Sequence, residues 1–290
     1  MYHSLREITE VCENQKIPFW RAVLLEDCKE EGITEEESMR KMQEIYDAMR
    51  DSDRNYDPDL YSASGLVGTD AQKLHLHHEA GKSMMGEFCG KVMERALRVA
   101  ESNACMKRIV AAPTAGSCGV MPAVLLSMQE KYHFTDRKMA ESLYVASGIG
   151  GVIAMRACLA GAEGGCQAEI GSASAMASGA AVYLLEGSPE AIIHGSAMAL
   201  SSLLGLVCDP VAGLVEVPCV KRNVIGALNA VSSADLALAG IRSRIPPDEV
   251  ADAMKSIGRS LPSELKETGR GGLAATLEGQ KIRDRLQGIH

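Results

Sequence analysis

Between Gly171 and Leu185 the chain is almost entirely Gly, Ala, Ser and Met. A stretch with so little side chain lets neighbouring backbones approach closely, and its simplest state is a helix buried deep in a cluster of other helices. The remaining composition agrees. Hydrophobic residues reach 46%, but aromatics only 4%, and the excess lies in Ala, Met and Leu alongside 28 Gly. That balance suits closely packed helices better than sheets. No run alternates with period two for long enough to support a strand. The expected class is all-α, a compact multi-helix domain with Gly-rich loops around a pocket.

The charge balance narrows the partners. With 30 Lys and Arg against 38 Asp and Glu, the net charge is −8, which favours neither nucleic acid nor acidic membranes. So few aromatics also argue against base stacking. The most apolar window, Ala191 to Cys208, is interrupted by His194 and several Ser and Gly, and reads as a buried helix rather than a membrane span. Met1 to Glu10 is polar and amphipathic, unlike a secretory leader. The nine cysteines are therefore expected as reduced thiols or metal ligands, not as a disulfide framework, and the location as cytoplasmic.

Helix signals are frequent. Leu5, Ile8, Val11 and Cys12 share one face. Pro18 starts a second helix carrying Trp20, Val23, Leu24 and Cys28, which Gly32 ends. Thr34 with Glu37 forms a capping box for a third. A charged linker is expected from Asp51 to Asp59. Further helices are expected over Met84–Ala100, from Val120, from Thr135-Asp136 with a break or tightening at Gly148–Gly151, from Ser188-Pro189, over Lys221–Ala239 with Gly240 as stop, and from Pro246-Pro247. The tail from Lys266 reads as loop, then as a basic polar segment. No internal boundary is visible, so residues 1–290 are expected as one domain: helices over 1–55, a core over 56–274 and a tail over 275–290.

Several stretches carry chemistry. Tyr61 to Asp70 is a small-residue loop whose Ser62, Ser64 and Gly65 offer hydroxyls and amides, either a plain turn or an anion nest. His75-Leu76-His77-His78-Glu79 has metal-ligand types without the spacing of a helical zinc site, so hydrogen bonding or helix flanking competes with catalysis. Pro113-Thr114-Ala115-Gly116-Ser117-Cys118-Gly119 feeds a helix N-terminus, where free amides favour a carboxylate; it is neither a Walker loop nor a dinucleotide fingerprint. Cys166, Cys208 and Cys219 lie beside Gly or Pro at breaks. Three thiolates are one short of a closed tetrahedral site and leave a position open for substrate. Spacing alone leaves buried inert cysteines as the alternative.

Taken together, Gly161-Ala162-Glu163-Gly164-Gly165-Cys166-Gln167-Ala168-Glu169-Ile170-Gly171, Cys208-Asp209-Pro210-Val211-Ala212-Gly213, Val217-Pro218-Cys219-Val220-Lys221-Arg222-Asn223, the Ala112–Gly119 loop and Arg270-Gly271-Gly272-Leu273-Ala274 resemble the iron–sulfur L-serine dehydratases. The match runs in the family's order over nearly the whole chain, as its alpha, catalytic part. The resemblance implies a lyase of amino-acid catabolism feeding gluconeogenesis, converting L-serine to pyruvate and ammonia without pyridoxal phosphate. It implies a [4Fe–4S] cluster held by Cys166, Cys208 and Cys219, with a fourth iron free to bind substrate, and a beta subunit as partner in a hetero-oligomer. Ser62, Ser64 and His75 are then the candidate catalytic groups, with His78 beside them. Gly65, Thr114, Ser117 and Gly119 are the candidate substrate ligands. Lys221 and Arg222 are candidates to pair with a carboxylate or with the cluster's charge. Two departures stand out: Ala115 where the family often has Asn, and a Gly288-Ile289-His290 end where some single-chain members carry a capping cysteine. His290 is the candidate substitute for that cap. The alternatives are a related L-cysteine desulfidase and a non-catalytic zinc-binding helical scaffold.

Overall fold

A computed structural model describes residues 1–288; Ile289 and His290, and with them the expectation for His290, lie outside the described residues. Thirteen α-helices and no strand occur among the described residues: α1 Leu5–Gln15, α2 Phe19–Glu31, α3 Glu35–Arg54, α4 Asp70–Glu79, α5 Gly86–Ala104, α6 Val120–Tyr132, α7 Asp136–Arg156, α8 Gly161–Gly164, α9 Ser172–Leu184, α10 Pro189–Ser201, α11 Cys219–Leu238, α12 Pro247–Ser260 and α13 Leu277–Leu286. The only sheet-like pairings among those residues are two isolated bridges, Tyr61 with Gly68 and Cys208 with Lys266. The fold is all-α, as the composition required.

The small-residue helix is the centre. Every residue of α9 is buried, and α6, α7, α10 and α11 pack around it. A Cβ at Gly179 would lie 2.2 Å from Ile149 Cδ1 on α7 and 2.7 Å from Ser196 Oγ on α10. The backbones can meet only because that atom is missing. Gly179→Ala should therefore lower the unfolding free energy by about 1–3 kcal/mol, read as a lower denaturant midpoint. The same substitution at Gly151, where a Cβ would meet nothing nearer than 3.7 Å, should not destabilise.

The caps expected at Gly32 and Thr34–Glu37 are present, and Ser4 supplies a further one for α1. The Ser4 side chain accepts from Glu7 N, the Thr34–Glu37 capping box is complete, and Gly32 ends α2 at φ 66°. Three expectations change. The linker expected from Asp51 begins instead as the last turn of α3, because Ser52 and Asp53 are buried and Asp53 pairs with Arg95 at 3.2 Å. Helix α7 runs unbroken through Gly148–Gly151. Those glycines make room instead, since a Cβ at Gly148 would be 2.5 Å from Val23 Cγ2 and one at Gly150 2.9 Å from Met176 Sδ. The tail is helical over α13, capped by the Thr276 hydroxyl.

The apolar window ends up as α10, whose inner face is buried, and a partly exposed turn after it, and no helix among the described residues is long and apolar enough to cross a membrane. Four connections matter for chemistry: the 61–69 loop before α4, the 112–119 loop before α6, the 157–171 segment before α9, and the 202–218 loop before α11.

Candidate metal centre and the loops around it

Cys166 precedes a π-helical turn, Gln167–Gly171, that opens into α9. Such wide turns re-aim side chains where a regular helix cannot. Gln167 anchors this one. Its Nε2 donates to Gly164 O (2.8 Å) and Met254 O (3.2 Å), and its Oε1 accepts from Gly205 N at 2.8 Å. Gly165 sits at φ 78°, and a Cβ there would fall 2.9 Å from Leu206 O. Both constraints tie the Cys166 turn to the loop that carries Cys208. Cys208 is bracketed in turn by the tail: its N donates to Leu265 O and its O accepts from Glu267 N, both at 2.9 Å. Cys219 is the first residue of α11. All three cysteines are buried and none is in a disulfide.

The structure brings two of these thiols together with an acid, and Cys219 is not in that set. The sulfurs of Cys166 and Cys208 and a carboxylate oxygen of Glu169 lie within 4.8 Å of one another. Cys219 is near enough that its charge raises Cys208. The Cys166 thiol is held below its ordinary value, first by a hydrogen bond from Cys208 and also by Arg222. Cys208, as that donor and as a buried group, is pushed up. Burial pushes Cys219 up to about 12 and raises Glu169 as well. A cationic centre would oppose the upward shifts, reinforce the downward one at Cys166 and draw three thiolates to itself.

Shape and charge fit such a centre. A Cβ at Gly161 would lie 2.7 Å from Glu169 Oε2 and 3.2 Å from Cys208 Sγ, and one at Gly116 3.1 Å from Glu169 Oε1, so two glycines keep the cradle clear. Arg222 supplies the neighbouring cation. Its Nη1 lies 3.3 Å from Cys166 Sγ and 2.8 Å from Val207 O, and its Nη2 2.9 Å from Asp209 Oδ1. Asp209 Oδ2 then accepts from Leu273 N at 2.8 Å. Gly272 permits that contact: it has φ 56°, and a Cβ would fall 2.3 Å from the same oxygen. The Arg270–Ala274 motif thus closes over the centre through one carboxylate.

The 112–119 loop joins from the other side. Thr114 Oγ1 donates to Glu169 Oε1 at 2.7 Å. Ser117, fully buried, has its hydroxyl engaged with Thr114. The Gly119 amide is already taken, donating to Asn223 Oδ1 at 2.8 Å. Asn223 Nδ2 also donates to Gly116 O and Cys219 O, which staples the loop to the first turn of α11.

In the 61–69 loop, Ser62 donates to Glu216 Oε2 at 2.9 Å and Ser64 donates to the same oxygen. Gly65, at φ 73°, turns the chain, and its amide donates to Ser62 O at 2.9 Å. Glu216 lies one turn before the second residue of α11, with Val220 N donating to its carbonyl at 3.0 Å. His75 is placed apart. Its Nδ1 lies 3.1 Å from Glu94 Oε2 and its Nε2 3.6 Å from Glu79 Oε1. With His78, Arg95 and Arg98 it lines a separate cavity of about 570 Å³ that includes none of the three cysteines. Lys221 is exposed and pairs with Asp70 at 3.5 Å.

Four groups of this site carried no role in the sequence reading: Glu169, Asp209, Glu216 and Asn223. The three acids share one signal, adjacency to a cysteine. Each cysteine has an acid within three residues, Glu169 after Cys166, Asp209 after Cys208 and Glu216 before Cys219.

The family model described as "Serine dehydratase alpha chain" matches residues 14–274. The chain is 45% identical to the L-serine dehydratase alpha chain of Peptoniphilus asaccharolyticus, across 98% of this chain and 97% of that one. It is 43% identical to the probable L-serine dehydratase alpha chain of Bacillus subtilis (strain 168), across 99% and 96%. An L-serine dehydratase of Helicobacter pylori is 33% identical across 96% of this chain but only 62% of its own length.

Proposed function

Because the chain belongs to the serine dehydratase alpha-chain family, we propose that it is the catalytic alpha subunit of an L-serine dehydratase. It is a lyase that works with a beta chain and forms pyruvate and ammonia from L-serine without pyridoxal phosphate. Residues 1–290 act as one catalytic domain. The observation that carries this reading is the convergence of buried Cys166 and Cys208 with Glu169, beside Cys219 and Arg222.

Cys166, Cys208 and Cys219 would hold a [4Fe–4S] cluster. When bound, the cluster supplies a Lewis-acidic iron without a protein ligand, which makes the substrate's β-hydroxyl a competent leaving group. The chain's own residues do the rest. Arg222 offsets thiolate charge at Cys166. Thr114 fixes one Glu169 oxygen and leaves the other facing the thiols. The substrate carboxylate is held at the Thr114 end of its loop, while Ser117 and Gly119, whose polar groups are already engaged, keep that loop in place. Gly65 shapes the turn that presents Ser62 and Ser64, and Ser64 removes the α-proton. His75, bonded to Glu94 in the separate cavity, supports the α4–α5 contact.

The test is anaerobic turnover of the reconstituted protein with its beta chain. Pyruvate from L-serine, at a kcat/KM well above that for L-cysteine, supports the proposal. Sulfide release from L-cysteine without pyruvate from L-serine would replace it with a desulfidase.

A further inference from the structure

Glu216 is a buried carboxylate without a cation. It is 8% exposed, and no ion pair reaches it among the described residues. The two cations that follow it in the chain are engaged elsewhere, Lys221 with Asp70 and Arg222 with Asp209. A charge so placed is costly unless hydrogen bonds compensate it. The compensation comes from two hydroxyls, Ser62 and Ser64, both on Oε2.

The serine oxygens are themselves prepared for charge. Ser64 Oγ accepts from Leu66 N at 3.1 Å, Ser62 Oγ accepts from Val67 N at 3.3 Å, and the two hydroxyls lie 3.1 Å apart. Backbone donors aimed at a hydroxyl oxygen stabilise it as it loses its proton. Ser62 is buried and Ser64 only half-buried, so Ser64 is the one that a substrate can reach. One glycine of the 112–119 loop lies between Glu169 and the residue before Glu216. Gly116, whose Cβ position meets Glu169 Oε1 at 3.1 Å, meets Val215 Cγ1, next to Glu216, at 3.5 Å.

We propose that Glu216 is the proton acceptor behind Ser64, a positioning residue that turns this hydroxyl into the base for the α-proton of L-serine. The inference rests on the dehydratase reading above. The Ser64 proton passes to Glu216 Oε2, and the Ser64 oxygen takes the substrate's Cα proton. The Cα–H electron pair becomes the second Cα–Cβ bond as the Cβ–O bond breaks, and that bond's pair leaves with the hydroxyl oxygen. The proton on Glu216 then converts the departed hydroxide to water, which leaves 2-aminoacrylate and restores both residues.

Glu216→Gln keeps the shape and an acceptor oxygen but not the basicity. In the assembled, iron-loaded enzyme, kcat for L-serine should fall about 10²–10⁴-fold with KM nearly unchanged. The primary isotope effect with [2-²H]-L-serine should rise as proton removal becomes limiting. Equilibrium binding of L-serine and amide exchange over residues 62–67 should match wild type. Ser64→Ala, which removes the base itself, should show the same loss of kcat and serves if the first variant does not fold. A Glu216→Gln enzyme that keeps more than a tenth of kcat would overturn the proposal. So would a loss that appears as raised KM or faster amide exchange with an unchanged isotope effect, the pattern of a mere loop anchor. Wild-type enzyme inert toward L-serine would instead defeat the functional reading and leave the hydrogen-bonded set without this assignment.

Discussion

Cys208→Ala should abolish both iron retention and L-serine turnover while leaving the helices intact. Cys208 is the middle member of the thiol set, its sulfur within 4.8 Å of both the Cys166 sulfur and a Glu169 carboxylate oxygen. Two thiols and a carboxylate cannot replace three thiolates around an iron–sulfur centre. The fold survives because the Cys208 segment is held by its backbone, through Leu265 O and Glu267 N, and its side chain adds little apolar volume. Anaerobic reconstitution of Cys208→Ala should give iron near background and at least a 10³-fold loss of turnover, with an unchanged helical circular-dichroism spectrum. Cys12→Ala is the control: that thiol is buried in the core beside Leu5 and Ile8, and its loss should leave iron content untouched.

Arg222→Met should be the most destabilising single change at the site, by about 3–5 kcal/mol. The guanidinium is the buried partner of Asp209, with side chains 16% and 5% exposed, and Asp209 also receives Leu273 N. Removing the cation strands a carboxylate that cannot reach water. It also releases the Arg270–Ala274 segment from the centre. The cause is separable by a double-mutant cycle. Asp209→Asn combined with Arg222→Met should melt above Arg222→Met alone, because no uncompensated charge remains. Additive losses would show that Arg222 acts through packing. Arg222→Lys keeps charge but cannot reach Cys166 Sγ, Val207 O and Asp209 together, so it should recover only part of the stability.

What was legible in the chain was local. Thr34, Ser188 and Gly32 mark helix ends because capping depends on the few residues around it. The burial of α9 was legible because nothing but close packing suits so many small residues. Gly148–Gly151 misled for the opposite reason. Their local effect is to weaken a helix, and the contacts with Val23 and Met176 that use them come from elsewhere in the chain. The polar α13 lacked an apolar stripe beyond Leu277, Ile282 and Leu286. At the site, the cysteines stood out through family resemblance and not through spacing. Of the two cations after Cys219, both pair with a carboxylate, but only Arg222 also touches Cys166, whereas Lys221 is exposed and reaches Asp70. Glu216 and Glu169 meet hydroxyls 152 and 55 residues away, and no local pattern encodes such a pairing. The Gly119 amide looked available because a helix N-terminus leaves donors free. Asn223, 104 residues on, takes it.

The central claim is that Cys166, Cys208 and Cys219 together hold an iron–sulfur cluster. Its most direct test is iron and acid-labile sulfide analysis of the anaerobically reconstituted wild-type protein beside each of the three cysteine-to-alanine variants. The account predicts about four irons and four sulfides per wild-type chain, and loss of both in every variant. Zinc without labile sulfide in the wild type, or a full complement retained after any one of the three is removed, would contradict it.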